Sequence, residues 1–314
     1  MPANGERYCR NAFVGTIFFH CGSIKKESNE RETQPVQATA IDLRPLDHSH
    51  LQSALALSRQ AGWPHRLEEW QMLLELSNGL VAIENEKVVG TIFATPYGDE
   101  IATINMVIVD ESMRGRGIGR RIMQAALDIV GERECRLVAT ADGLPLYESL
   151  GFRKTGTIVQ HQGMLAACTA PETVEWATGA DLDEVVALDR VAYPADRSGL
   201  IQSLFRAGRL AVLRESGVIH GYAAWRPFGR GELCGPVIAE TAQAAEDLLR
   251  FLFAARPGVF MRVDTGVETG LASFLTEHGL THVGGGISMR RTPSSASSPV
   301  PSVHTFALAS QALG

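Results

Sequence analysis

The chain reads as an α/β protein made of two tandem copies of one fold, each a mixed central sheet flanked by helices. Three observations predict this. Strand-like and helix-like periodicities alternate from Ala40 onward. An apolar run at Val107–Val109 enters a basic, glycine-rich turn and passes at once into a helical pattern, Arg120–Leu127. A stretch of pattern then recurs downstream at constant spacing: Val81, Glu84, Gly90, Pro96 and Gly98 return as Val212, Glu215, Gly221, Pro227 and Gly229.

Each element of the first copy has its own justification. Ile41–Leu46 alternates as a strand does. His48–Gln60 carries Leu51, Ala54, Leu55 and Leu57 at helical spacing, and Ala61-Gly62-Trp63-Pro64 ends it. Leu67–Leu76 is a second helix. Leu80–Ile83 and Val88–Ala94 are strands joined by the polar turn Glu84–Lys87. Ala102–Val109 feeds the glycine turn and Arg120–Val130 follows it. Arg136–Thr140 is a short strand, and Leu144–Gly151 contains the next helix. The order is β-α-α-β-β-β-α-β-α-β.

In the second copy Val88 meets Ile219 and Tyr97 meets Phe228. Leu146–Phe152 aligns with Phe274–Leu280 at a slightly shorter offset. Thr173–Trp176 is the first strand expected there and Asp181–Val191 the first helix. The domains expected are therefore 39–168 and 169–292. Residues 1–38 are expected to be a disordered extension, because Ser23–Gln37 is polar without periodicity and Phe13–Phe19 is at most a weak strand. The Ser/Pro-rich residues after Arg291 make 293–314 a flexible tail.

Composition narrows the function. The 314 residues suffice for two domains. Hydrophobic content of 45% and charged content of 20% belong to soluble globular proteins. A net charge of −6 disfavours nucleic acid as a partner. Cys9, Cys21, Cys135, Cys168 and Cys234 are scattered with no Cys-x-x-Cys pair, so neither a metal site nor a disulfide framework is expected. Reduced thiols fit a cytoplasmic protein. No apolar run reaches the roughly 20 residues that span a bilayer. The apolar segment Ala12–Cys21 is short and lacks a cleavage site.

The glycine turn carries the chemistry. Gly115, Gly117 and Gly119 permit positive φ and leave no Cβ before a ligand. Successive N–H groups in such a turn converge on an anion, and the following helix adds the partial charge of its N-terminus. Arg114, Arg116, Arg120 and Arg121 add full charges. The ligand expected is a pyrophosphate. No Gly-Lys-Ser/Thr follows, and Gly-x-Gly-x-x-Gly is absent, so neither a Walker loop nor a dinucleotide fingerprint is present.

The pattern Arg114-x-x-Gly117-x-Gly119 after a strand, with Tyr147-Glu148-Ser149-Leu150-Gly151-Phe152 downstream, resembles the GCN5-related N-acetyltransferases (GNAT). The resemblance implies two tandem acyl-CoA N-acyltransferase folds and acetyl-CoA as co-substrate. The main chain of Val107, Ile108 and Val109 would hold the pantetheine arm, where a bulge opens a slot. An N–H near Val107 would polarise the thioester carbonyl. Amides of Arg116, Gly117, Gly119 and Arg120 would grip the pyrophosphate, with Arg114, Gly115 and Ile118 completing the turn. Tyr147 would be the general acid, unless it is a core residue of the last helix. Glu100 or a water chain would serve as base. Trp63, Arg66, Trp70 and Asn105 would meet the substrate, unless the tryptophans only pack the helix pair. Trp225 and Arg226 of the second copy would close the site.

The second copy has Gly235-Pro236-Val237-Ile238-Ala239-Glu240-Thr241 at the loop position and Leu275 where Tyr147 stands. It resembles the C-terminal half of YitH-type two-domain acetyltransferases and is expected to be degenerate. The activity implied is acetyl transfer to the amine of a small molecule by direct attack on the thioester, in a monomer or homodimer. Alternatives are a protein lysine or N-terminal acetyltransferase, and a CoA-binding regulatory module without turnover.

Overall fold

The computed structural model describes residues 41–292 and 301–314. The expectations for residues 1–38 lie outside the described residues. In the first copy the chain forms β1 (Asp42–Pro45), α1 (Leu51–Gln60), α2 (Leu67–Leu76), β2 (Asn78–Glu84), β3 (Lys87–Tyr97) and β4 (Ile101–Val109). It continues through α3 (Ile118–Val130), β5 (Glu134–Ala139), α4 (Leu144–Ser149) and β6 (Arg153–Met164). The second copy repeats that order as β7 (Val174–Trp176), α5 (Leu182–Ala192), α6 (Ser198–Ala207), β8 (Arg209–Glu215), β9 (Val218–Phe228) and β10 (Gly231–Ala239). Then come α7 (Ala242–Ala254), β11 (Phe260–Gly266), α8 (Ala272–Glu277), β12 (Thr281–Arg291) and β13 (His304–Ala307).

All thirteen strands of the described residues join one sheet in the order β1-β2-β3-β4-β5-β12-β6-β11-β13-β10-β9-β8-β7. Side chains on a strand alternate between faces. Val81 and Ile83 of β2 therefore point into a core with α1 and α2, while Ala82 points the other way, into a core with α3. The first of these cores is shared between the copies: Leu55 and Trp70 sit in one cluster with Leu200, Ile201 and Leu204 of α6. Helices α3 and α7 each cover the opposite face of their own copy.

The last strands are exchanged. β12, from the second copy, pairs with β5 of the first, with Ile287 opposite Ala139. β6, from the first copy, pairs with β11 of the second, with Val263 opposite His161. The two exchanged strands pair with each other. The duplication is real, but the expected boundary at 168/169 does not divide two compact bodies; the described residues from Ile41 onward pack as one unit.

The expectation of a flexible tail over 293–314 is corrected for its second part. Residues 293–300 lie outside the described residues, but β13 enters the sheet between β10 and β11. Val303, Phe306, Ala307, Ala309 and Leu313 are buried. The Tyr97 hydroxyl donates to the Leu313 carbonyl at 2.7 Å, and the Arg226 guanidinium donates to that of Ala309 at 3.3 Å. The Ser/Pro-rich composition upstream conceals this short apolar strand.

Candidate active site

Strand β4 is where the site opens. Thr91 of β3 pairs with Ile108 and Phe93 with Asn105, so β4 carries one extra residue between these pairs. Met106 sits at φ +49°, and its carbonyl accepts a bond from the Thr91 hydroxyl at 2.8 Å. Such a bulge bends its strand. On the other side β4 pairs with β5 only at Ile101–Thr103, so the two strands diverge toward Val109. A cleft of about 1240 Å³ occupies this opening, with Asn105 and Val107–Val109 in its wall.

The glycine turn closes one end of the cleft. Gly115 and Gly117 have φ +77° and +76°, and no atom of the chain lies where a Cβ would stand. Gly117 caps α3 without a side-chain bond, so the first amides of the helix keep their donors. Gly119, inside the helix, packs against Leu146. Asp110 shapes the approach to the turn. Its carboxylate accepts from the Ser112 amide and hydroxyl and pairs with Lys87 at 3.2 Å. Led by the Ser112 hydroxyl, these bonds pull its pKa down to about 2. Arg114, Gly115, Gly117, Ile118, Gly119 and Arg120 line the cleft, and Arg120 also donates to Ser149 at 2.7 Å. The Arg116 side chain leaves the cleft and pairs with Glu84 at 2.7 Å.

The second copy shows what the first retains. There Thr241 caps α7 by accepting from the Ala244 amide, so the helix end is satisfied from within. Residues 110–117 join β4 to α3, whereas residues 240 and 241 alone join β10 to α7. β10 also bulges, between Cys234 and Val237, and parts from β11 after Leu233. Into that opening the chain inserts β13, which pairs with Val237–Ala239 on one side and Thr265 on the other.

Tyr147, on α4, lines the cleft at 8% exposure. Burial pushes its phenol up to about 12. Trp63 and His65, between α1 and α2, line the opposite wall. The His65 ring meets Trp63 and Phe228 edge-on at 5.8 Å each, and its Nδ1 bonds Ser58 Oγ at 2.9 Å. Burial, then the charges of Arg262 and Arg226, push its pKa down to about 4. A histidine buried in its neutral form opposes acid. Its contribution to stability is whole above the unfolded value of 6.5 and is lost as pH falls from there toward 4. His65→Gln is therefore expected to flatten the fall in unfolding free energy between those values, measured by urea titration across pH.

Several expectations are corrected. Trp70 is wholly buried and packs on Phe93 at 5.7 Å, a core residue rather than a substrate contact. It sits on the α2 face turned to the sheet. Arg66 is absent from the cleft wall: it pairs with Glu69 at 2.6 Å and donates to the Pro227 carbonyl at 3.1 Å, tying α2 to the second copy. Glu100 stands at the far end of β4 from the turn, paired with Arg190 at 3.1 Å, outside the cleft. That position gives it no reach to an amine beside Val107. Asn105 does line the cleft, with its amide donating to Thr95 at 2.9 Å. Arg226 is buried beneath Phe228, its guanidinium 4.7 Å from that ring. Trp225 bonds Glu232 instead of facing the cleft.

The second copy nevertheless completes the wall with Phe228, Arg230 and Arg262, and Ser310, Gln311 and Ala312 follow from the segment after β13. Pseudo-symmetry was the available signal. Phe228 matches Tyr97, and each ring meets an aromatic from the other copy: Phe228 with His65, Tyr97 with Tyr193.

A splayed β4, an uncapped helix end and a buried phenol are what the resemblance to the acyl-CoA-dependent acyltransferases calls for. The comparisons agree. Family models for the acetyltransferase (GNAT) domain match residues 75–154 and 185–300. The uncharacterized N-acetyltransferase YitH of Bacillus subtilis (strain 168) is 30% identical over 87% of this chain and 98% of its own. The chain belongs to the GNAT acetyltransferase family, and it is an N-acetyltransferase for which acetyl-CoA is the family's co-substrate. The holothin acyltransferase of Pseudoalteromonas sp. (strain SANK 73390) is 25% identical over 55% of this chain and 60% of its own. Among solved structures, a putative acetyltransferase from Pyrococcus horikoshii superposes with TM-score 0.74 at 19% identity, covering 91% of this chain and 100% of that one. A tandem GNAT protein from the clavulanic acid biosynthesis pathway gives 0.58 at 13% identity, covering 82% and 100%. These two likenesses concern the fold. No described helix is long and apolar enough to cross a membrane.

Proposed function

We propose that the first copy transfers an acetyl group from acetyl-CoA to the amine of a small molecule, and that the second copy binds no CoA. The observation that carries this reading is the contrast between the two bulged strands. One opens into a cleft beneath an uncapped helix end; the other is filled by β13 beneath a helix capped by Thr241. The free amides of Gly117, Gly119 and Arg120 fit the diphosphate, and the unpaired edge of Val107–Val109 fits the pantetheine amides. A small acceptor suits a cleft narrowed by Trp63, Phe228 and residues 310–312. Titration calorimetry with acetyl-CoA tests the reading: one site per chain is expected. A second equivalent site, or none, contradicts it. Thiol release in the presence of amines then separates an enzyme from a binding module.

In the reaction the neutral amine forms its C–N bond at the thioester carbonyl as the C–S bond breaks. The nitrogen loses its proton to solvent, and the sulfur leaves as a thiolate. The Asn105–Val107 bulge offers main-chain N–H groups to the carbonyl oxygen. A cationic wall at Arg230 and Arg262 disfavours an ammonium, so the neutral amine is the form accommodated. Tyr147, near 12, is a weaker acid than an ordinary thiol at about 8.5, so complete proton transfer to the thiolate is uphill. Its service is a hydrogen bond that strengthens as charge gathers on sulfur. Tyr147→Phe is expected to lower kcat by about a hundredfold and leave the Kd for acetyl-CoA within about twofold. Paired steady-state and calorimetric measurements check this; an unchanged kcat removes the role.

A further inference from the structure

The second copy and the segment after β13 bring Phe228, Arg230, Arg262 and Gln311 into the cleft wall, with His65 against Phe228. Its charges do not balance. The carboxylates in the cleft wall, Glu111 and Asp142, both stand with the turn and α4. The second copy contributes two guanidiniums to the wall, Arg230 and Arg262, and no carboxylate.

Arg262 is held from behind. Asp264, wholly buried, accepts its Nε and Nη2 at 2.9 and 2.8 Å and takes a bond from Gln311 at 3.0 Å. That fixes the guanidinium plane, and Arg262 Nη1 has no partner among the described hydrogen bonds and ion pairs. Arg230, exposed in the turn after β9, has no ion pair or hydrogen bond among the described residues. A third cation, Arg226, is buried under Phe228 and donates to the Ala309 carbonyl, and among the described residues its Nε has no partner. A buried guanidinium without an ion pair is costly; the charges of Glu69 and Asp264 offset it in part. Burial, and after it the charges of Arg262 and Arg226, depress the basicity of His65.

We infer that the acceptor amine carries a carboxylate, which docks on Arg230 and the free edge of Arg262 while the amine faces Val107. This rests on the acetyl-transfer reading above and names the acceptor's chemical class. A fork of two guanidiniums matches a carboxylate in charge and geometry. Trp63 and Phe228 leave room beside it for an apolar side chain, and Gln160 and Gln311, bonded to each other at 3.4 Å, form a neutral polar floor.

The test compares matched acceptors, alanine and phenylalanine as free acids against their carboxamides, with saturating acetyl-CoA and thiol release as readout. The acids are expected to exceed the amides in kcat/KM by about tenfold or more, as for a hydrogen bond to a charged group. Arg230→Gln, on an exposed turn where folding is undisturbed, is expected to pull that ratio toward one, chiefly through KM. Arg262→Lys keeps the charge opposite Asp264 and loses the fork, so it should reduce the ratio too. Equal rates for acid and amide overturn the inference while acetyl transfer stands. So does an acid preference that Arg230→Gln leaves intact, and so does turnover of neither class by protein that binds acetyl-CoA. Failure of the protein to bind acetyl-CoA at all overturns both readings.

Discussion

Gly117→Val is expected to abolish measurable acetyl-CoA binding in a protein that still folds. Gly117 holds φ +76° at the cap of α3, a conformation in which a β-branched residue is strained. The substitution costs about 1–3 kcal/mol there, at a surface turn that packs on little else. The larger effect falls on the ligand. An isopropyl group would stand in the open space facing the cleft, and the turn would rotate its amides away from a common centre. Losing two bonds to a charged phosphate, each worth about 1.5–3 kcal/mol, weakens binding by more than about a hundredfold. Calorimetry measures the affinity, and a thermal melt guards the fold. Retained affinity would show that the anion sits elsewhere.

Severing the gene between residues 168 and 169 is expected to give two pieces, neither of which folds alone. A fragment ending at 168 keeps β6 but loses β12, the strand that joins β5 to it. Its exposed strand edges invite aggregation. The common core of α1, α2 and α6 is opened as well, exposing Leu55, Leu57 and Leu73. At about 1.5–3 kcal/mol for each leucine uncovered, such losses are comparable with the stability of an ordinary domain. Circular dichroism and gel filtration of each piece, then of the co-expressed pair, check this. Recovery only on co-expression is the expected result; a folded, monomeric 39–168 piece contradicts it.

Much of this architecture was legible in the residues. Helical spacing located α1 and α2, because each buries one face, and the polar turn between two apolar runs located β2 and β3, which are buried on both. The glycines at 115 and 117 marked the ligand turn because their positive φ is a local demand. The repeat predicted the second copy. What local pattern does not encode is choice of partner. β6 and β12 read alike as strands, so their exchange between copies leaves no trace in composition. Trp70 and Trp63 looked equivalent, yet one turn of helix sends the first to the core and leaves the second on the cleft. Glu100 was close in sequence to the reacting strand, but strands are extended, and a few residues carry a side chain out of reach. Phe228, Arg230 and Arg262 arrive only through tertiary packing. His304–Ala307 was hidden by its length, since four residues are too few to establish a period.

The strand β13 has a consequence for how a duplicated enzyme divides labour. By docking in the opening of β10, it gives the second copy a tethered internal guest whose effective concentration no dissolved nucleotide can match. The residues just beyond the guest, 310–312, line the neighbouring chamber. The filling of one opening thus shapes the wall of the other.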